Sequence, residues 1–579
     1  MIYHNHLKSM CGILGSTIIC ENFENALHTI AHRGPDGERT LNLQKCMLGF
    51  VRLAIRDCTE KAMQPMASDD KTVYLVYNGE IYGAESLKQE LQQKGYVFKT
   101  TSDTEIVLNA YLEYGEKFVE RIDGMFALAI YDNQKEKIFL YRDRVGIKPL
   151  YYYYNGRDIS FASELKAILA LHDDIAFQRD NTAIYDYFTY RYIPDPKTLY
   201  KEIRKLEPAC RLSFDMQKRT IYIEKYWELN PNENMGGTYD QEEVCEQTRC
   251  LISQSVKEQL VSDVPVGTFL SGGIDSSVVS AEIFRMTNNV HAFSMGFQIN
   301  NEEEKSHDET LYAKMLADLY NFPITYGKFD MSTLKEVKAR VRDWYDEPFA
   351  DQSCWPTYMI SKLAKQNHVP VILTGDGGDE VFGGYLNYSF YNQKVGNRKP
   401  WSIWCDLYTK VLKPYISNYE FADGILDGLS LFAKGAYAWG RCDKKDFAKE
   451  LKIGWGYDDY WYFRKYYNPD LPPITRAQYI DFMTYLPADI LTKVDRAAMQ
   501  NSIETRVPLL SKKIVEFSFG LPQENRCPNS ELKGVMKRAY EGIIPNEILY
   551  KEKHGFSLPG SYFRPHEEIR FTMWEECWK

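Results

Sequence analysis

The sequence predicts two domains in series: an α+β domain, then an α/β domain with a doubly wound parallel sheet and a helical C-terminal part. Three observations predict this. The chain has 579 residues, and at roughly 100–200 residues per domain that length asks for more than one. The first third carries short β-like runs with a few helical patterns among them, whereas strands and helices alternate beyond residue 240. Around 205–240 the pattern breaks, and LNPNENMGGTYD (229–240) is polar and rich in turn formers. The expected division is a first domain over 11–210, a linker over 211–240 and a second domain over 241–579.

In the first domain, CGILGS (11–16), CMLGFVRLAI (46–55), TVYLVYN (72–78), MFALAIY (125–131), KIFLYR (137–142) and PLYYYY (149–154) read as strands bounded by turn residues. Helical patterns cover 22–32, 84–94 and 103–114, the last opening on Ser102-Asp103 as a cap signal. In the second domain, VPVGTFL (264–270) meets a glycine turn and then a helix. VHAFSMGF (290–297) precedes the helical pattern DETLYAKMLADLY (308–320), and VPVILTG (369–375) ends in a second glycine-rich loop. Alternation of this kind builds a parallel sheet. The last 200 residues or so read as helical and aromatic.

Composition narrows the function. Hydrophobic residues make up 44% and charged residues 26%, a globular balance in a chain long enough to bury a core without staples. The net charge of −10 argues against bulk nucleic-acid binding, which needs clustered Lys and Arg. There is no 18-residue apolar run, so no membrane span is expected. MIYHNHLKSM has no apolar core and does not read as a signal peptide. The 12 cysteines are scattered without a CxxC pair, against a disulfide scaffold or a structural zinc, and a reducing cytoplasm is the expected setting. The 43 tyrosines read as amphipathic packing surface.

Two loops carry chemistry. In Phe269-Leu270-Ser271-Gly272-Gly273-Ile274-Asp275-Ser276-Ser277 the glycines let backbone amides approach an anion, and the following helix points its positive end at the loop. It lacks the lysine of a Walker A motif. Asp275 would repel phosphate unless it holds a cation, and Mg²⁺ carried by ATP fits. Alone, a glycine pair is an ordinary capped turn. The second loop, Thr374-Gly375-Asp376-Gly377-Gly378-Asp379-Glu380, puts three acids at the carboxyl end of another expected strand, where open α/β sheets place their sites. Asp275, Asp376 and Asp379 could converge there on magnesium and pyrophosphate. A solvated turn is the plainer alternative.

The SGGIDSS string resembles the pyrophosphate loop of the AMP-forming ATP pyrophosphatases. DEPFADQS (346–353), TGDGGDEVFGGY (374–385) and LPADILTKVDRAAMQNSIETRVPLL (486–510) extend the resemblance to glutamine-hydrolysing asparagine synthetases, over nearly the whole chain from Cys11 to about Arg564. The resemblance implies a four-layer αββα fold of N-terminal-nucleophile type for the first domain. It implies that Cys11 is the nucleophile, with its own free α-amine as proton acceptor and donor. Asn78 and Gly79 match the oxyanion hole, Arg52 the holder of the glutamine carboxylate, and Asp103, with Glu80 beside it, the ammonium site. HRGPDG (32–37) matches a loop near that site. Taken singly, a cysteine is a small hydrophobe, Asn78-Gly79 a common turn and Asp103 a helix cap. Their joint order is what separates the two readings.

For the second domain the resemblance implies that aspartate attacks the α-phosphorus of ATP and that ammonia displaces AMP from β-aspartyl-AMP. Leu270, Ser271, Gly272, Gly273, Asp275, Ser276, Ser277, Thr374 and Gly375 would hold ATP, and Ser294, Met295 and Gly296 would line the adenine pocket. Asp275 and Asp379 would hold Mg²⁺, and Asp376, Asp379 and Glu380 would lie on the substrate and phosphate side. Lys553, in KEKHGF, matches a lysine on the phosphate transition state, and is otherwise a solvated charge. Asp495, Arg496, Glu504 and Arg506 are expected as a structural ion-pair network behind the site. Ser511 stands where an aspartate is common.

Ten residues precede Cys11, and as written they leave it no free amine. Met10 as the true start, a cleaved leader and an inactive glutaminase are the three options, the first being the expectation. The expected partners are glutamine, aspartate and ATP, with no nucleic acid or membrane; a homodimer is left open. Two other functions remain. One is a relative that amidates a different carboxylate, such as a sugar acid in polysaccharide assembly. The other is a non-enzymatic sensor or scaffold with Cys11 blocked.

Overall fold

Runs of alternating apolar residues in the first third pair into two six-stranded antiparallel sheets. The computed structural model describes residues 11–231, 239–299, 301–395, 444–454, 457–552, 558–563 and 569–578. One sheet runs Ile203–Lys205, Tyr151–Tyr154, Ile159–Ala162, Gly12–Ser16, Met47–Arg52, Gly37–Asn42 from edge to edge. The other runs Thr220–Lys225, Cys210–Asp215, Lys137–Arg142, Asp123–Asp132, Val73–Tyr82, Met66–Ala67. Ile13, Leu48, Phe50, Val76, Ala127 and Leu140 fill the space between them. Helices Phe23–His28 and Leu165–Leu171 cover the outer face of the first sheet, and Glu85–Gln93 and Asp103–Tyr114 that of the second. The result is the four-layer αββα sandwich. Helix Asp103–Tyr114 begins where expected, with the Ser102 side chain accepting from Thr104 N.

The second half holds a five-stranded parallel sheet. Its order is Ile324–Phe329, His291–Phe297, Val266–Phe269, Val371–Leu373, Glu504–Arg506. Apolar residues cover both faces: Phe293 and Ile372 pack to one side, Ala292, Val371 and Leu373 to the other. The chain winds outward from Val266–Phe269 in one direction, then returns to its other flank through Val371–Leu373. That reversal opens a crevice at the carboxyl ends of these two strands. Among the described residues, no helix is long and apolar enough to cross a membrane.

Two boundaries differ from the sequence expectation. Residues 210–225, expected to open a linker, form two strands of the second sheet. Cys210–Asp215 alternates buried and half-buried residues, whereas Thr220–Lys225 is an exposed edge strand without a buried face. Helix Asn181–Tyr190, placed by sequence in the first domain, buries Ile184, Tyr187, Phe188 and Tyr190 in the aromatic core of the second half. Tyr187 Oη donates to the carbonyl of Arg570, and Tyr190 Oη to that of Asp459. The tyrosines do serve as packing surface.

A buried ion network joins the halves. The Arg33 guanidinium donates to Glu164 at 2.8 Å and to Asp495 at 2.9 Å, all three side chains being almost wholly buried. Arg496 reaches Glu164 at 2.6 Å and Asp346 at 2.8 Å. Lys148 lies 3.6 Å from Asp495. Asp495 and Arg496 thus pair across the junction with residues of the first half, and Glu504 pairs with Arg506 at 2.7 Å; the four expected as one network fall into two sets with no ion pair between them among the described residues. Removing one partner leaves a buried charge uncompensated. Asp495→Ala is expected to lower stability by about 3–5 kcal/mol, seen as a lower denaturation midpoint. A midpoint equal to wild type would show that the network holds nothing together.

Candidate active sites

Cys11 lies just before the central strand Gly12–Ser16 and is partly buried. Its Sγ accepts from Leu53 N at 3.4 Å and faces the Leu53 carbonyl at 3.7 Å. Burial pushes its pKa up to about 12. The thiol is thus protonated at neutral pH and needs a base at the moment of attack. The HRGPDG loop wraps this point: Arg33 Nε donates to the Cys11 carbonyl at 3.3 Å, and Asp36 accepts from Ala54 N at 3.0 Å.

Asn78, Glu80 and Tyr82 alternate along Val73–Tyr82 and so share one face of that strand. Asn78 is fully buried, and neither its Nδ2 nor its Oδ1 has a hydrogen-bond partner among the described residues. The Tyr82 hydroxyl is in the same condition. Buried polar atoms are seldom left unmet in a protein interior, so this cluster marks a place for a polar ligand. Gly79 is required by packing, since a Cβ there would lie 2.1 Å from the Met125 carbonyl oxygen. Asp103 accepts from Tyr77 Oη at 2.9 Å and from Ile81 N at 3.0 Å, which fixes its carboxylate against this strand. Burial, with Asp103 nearby, pushes the Glu80 pKa well above the usual carboxylate range. Arg52 donates to the carbonyls of Thr59 at 2.7 Å and Asp57 at 2.5 Å. A guanidinium has five donors, so three remain for a carboxylate. Arg56, 3.6 Å from Glu80, also borders the site and was not legible in the sequence.

The second site is a cavity of about 660 Å³ at the crevice of the parallel sheet. Ser271, Gly273, Asp275, Ser276, Met295, Thr374, Gly375, Asp376, Asp379 and Glu380 line it. Leu270 and Ser277 lie buried beneath the loop, and Ser294 is buried within its strand. Gly272 makes the turn at φ +90°, where a Cβ would lie 2.5 Å from the Glu309 carbonyl oxygen. Gly296 lies beside Asp308 and Thr310. Ser271 and Ser276 join their hydroxyls at 3.0 Å, which closes the loop over the first turn of helix Ile274–Met286. The two loops meet through glycine: a Cβ on Gly375 would lie 2.5 Å from Ser276 N, and one on Gly378 2.3 Å from Asp275 Oδ1. The Thr374 hydroxyl donates to Asp376 at 2.7 Å, and Tyr385 Oη to Glu380 at 2.6 Å. Burial and the neighbouring Asp379 push the Glu380 pKa up to about 7.

Asp275 and Asp379 converge on one positive charge, the Lys533 ammonium, which contacts Asp275 and lies 2.6 Å from Asp379. The ammonium acts as a stand-in ion, and two hard carboxylates around it fit a divalent cation that phosphate oxygens would complete. Among the described residues no group of three or more potential ligand side chains gathers to hold a metal without the nucleotide. Lys533 was missed in the sequence because nothing in ELKGVMKRAY marks it. Lys493, ion-paired with Asp351 at 3.2 Å, also lines the cavity and was passed over inside a motif whose other charges drew attention. Lys553 lies outside the described residues.

The fold and the two sites together define a glutamine amidotransferase joined to a synthase. The first half matches the family model of the glutamine amidotransferase domain over residues 10–227, and the second that of asparagine synthase over 247–570. The chain belongs to the glutamine-hydrolysing asparagine synthetase family. Asparagine synthetase [glutamine-hydrolyzing] 1 of Bacillus subtilis is 32% identical over 555 residues, covering 93% of this chain and 84% of that protein. Putative asparagine synthetase [glutamine-hydrolyzing] 2 of Methanocaldococcus jannaschii is 39% identical over 405 residues, covering 66% of this chain and 76% of that protein. A putative asparagine synthetase of Mycobacterium tuberculosis is 31% identical over 571 residues, covering 92% and 83%.

Proposed function

We propose that this chain takes ammonia from glutamine at Cys11 and uses it to convert aspartate, activated by ATP as β-aspartyl-AMP, into asparagine, AMP and pyrophosphate. One observation carries the reading. A pocket of unmet polar atoms beside Cys11 and a two-loop anion cradle lie in one chain, and one apolar cluster packs between them.

In the first site the Cys11 sulfur attacks the side-chain amide carbon of glutamine. The Cys11 α-amine, once free, takes the thiol proton and passes it to the leaving nitrogen. The Asn78 amide and the Gly79 N–H stabilise the oxyanion. Arg52 holds the α-carboxylate, and Glu80 and Asp103 the α-ammonium. Ammonia leaves a thioester that water cleaves to glutamate.

Leu53, Met125, Val145 and Ile147 of the first half join Leu270 and Leu509 of the second in the apolar cluster, and Cys11 packs against it. Such a wall would keep ammonia unprotonated on its way. In the second site the glycine loop and its serines hold the phosphates, and Asp376 and Glu380 face the acceptor. Asp275 and Asp379 would hold Mg²⁺, which would supply charge neutralisation on the phosphates.

The reading is tested by supplying aspartate, ATP and Mg²⁺ with either glutamine or ammonium and analysing the amino acids formed. Asparagine with an equal yield of pyrophosphate is the expected result. No asparagine, with pyrophosphate released on another carboxylic acid, would overturn the acceptor assignment.

A further inference from the structure

The glutamine pocket is not built by the first half alone. Strand Glu504–Arg506, at the edge of the parallel sheet, sends two charged side chains to it. Arg506 is fully buried, and its Nε donates to Glu504 at 2.7 Å. Its Nη1 donates to the carbonyls of Gln259 at 2.6 Å and Val261 at 2.7 Å. Its Nη2 has no hydrogen-bond partner among the described residues. It lies 3.8 Å from Glu80, and the guanidinium sits 6.0 Å from the centre of the Tyr82 ring. An unmet buried donor thus lies beside the strand face that carries the unmet atoms of Asn78 and Tyr82.

The backbone of the same residue serves the other site. The Arg506 carbonyl accepts from Thr374 N at 2.9 Å, in the register that pairs Leu373 with Arg506. The Thr374 hydroxyl in turn holds Asp376 at 2.7 Å. One residue therefore ends in the glutamine pocket on one side and anchors the acceptor loop on the other.

Charge says what would move it. Around Glu80 stand two other carboxylates, Asp103 and Glu504, and two guanidiniums, Arg56 and Arg506. Burial and Asp103 hold Glu80 above the usual carboxylate range, and an ammonium on an arriving ligand would favour its ionised form. An arriving ammonium would compete for Glu80 with the Arg506 guanidinium, 3.8 Å away.

We infer that Arg506 is a positioning residue that couples glutamine binding to the arrangement of the Thr374–Asp376 acceptor loop. This rests on the function proposed above. Coupling between sites is reciprocal, and its usual size is about 5- to 150-fold in affinity. Cys11→Ala, which holds glutamine without cleaving it, is expected to bind glutamine at least about 5-fold more tightly when aspartate and a non-hydrolysable ATP analogue are present. Titration calorimetry reads that shift. Adding Arg506→Lys, which keeps the charge but loses the fork, should abolish the shift while glutamine still binds. If Arg506→Lys does not fold, Glu504→Gln, which releases the same guanidinium, is expected to give the same loss. An undiminished shift in the folded variant, or no shift in the Cys11→Ala parent, overturns the inference. Pyrophosphate release by wild type with aspartate and ammonium is measured alongside. Its absence would count against the proposed function, whereas its presence with an undiminished shift would count against the coupling alone.

Discussion

A chain that begins at Cys11 is expected to release glutamate from glutamine about 10²–10⁴-fold faster than one that keeps residues 1–10 attached. That range is what a positioned general base contributes. The need for a base follows from the site. Burial pushes the thiol pKa up to about 12, so at neutral pH the thiol needs a base to attack. Among the described residues its sulfur has only the backbone of Leu53 as hydrogen-bond partner. No histidine or carboxylate among the described residues is bonded to it, and the proposed mechanism assigns the base to the α-amine of the same residue. An amide nitrogen, which is what residue 11 carries while Met10 is attached, cannot accept the proton. Both forms should make pyrophosphate equally well from aspartate, ATP and ammonium, because the second site does not use Cys11. Glutamate release at equal rates from both forms, each confirmed by mass, would remove the amine from the mechanism.

The sequence made the first sheets visible because their strands are short apolar or aromatic runs between turn residues: Gly12–Ser16, Lys137–Arg142 and Tyr151–Tyr154 fall almost where those runs do, and all three are buried nearly throughout. The parallel strands were visible for another reason. Val266–Phe269 and Val371–Leu373 lie in short apolar runs that lead into glycine-rich loops, which is how a strand buried on both faces looks, whereas Ile324–Phe329 and Glu504–Arg506 carry no such run. The two glycine loops were legible as a site because glycine there answers to close approach, and the Gly375 and Gly378 contacts bear that out. What stayed hidden depends on partners far apart in the chain. Thr220–Lys225 is an edge strand whose pairing with Cys210–Asp215 makes it a strand at all. Helix Asn181–Tyr190 has an ordinary local pattern, and nothing local says which half it will bury its rings in. Arg33 and Asp495 are 462 positions apart, and Lys533 meets Asp275 across 258. A buried cation announces itself only through the acids it neutralises, and those are set by topology.

Lys533→Met is expected to cut pyrophosphate release about 10²–10³-fold with glutamine and with ammonium alike, while glutamate release without ATP is unchanged. Asp275 and Asp379 are drawn together on the Lys533 ammonium. The surrounding backbone is built for that closeness: a Cβ on Gly384 would lie 1.9 Å from Asp379 Oδ1 and 2.2 Å from Lys533 Cε. Without the Lys533 ammonium the two carboxylates lose the charge they share, and the phosphates are repelled more strongly. Mg²⁺ should then compete for the pair without Lys533 against it. In the absence of ATP, added Mg²⁺ is expected to raise the melting temperature of Lys533→Met and to leave wild type unmoved, because a ligand that binds the folded state stabilises it. Lys533→Arg keeps the charge and should restore a large part of the activity without the magnesium response. If Lys533→Met releases pyrophosphate at the wild-type rate, the ammonium between the two aspartates has no part in handling phosphate. If its melting ignores Mg²⁺, those carboxylates are not the cation site.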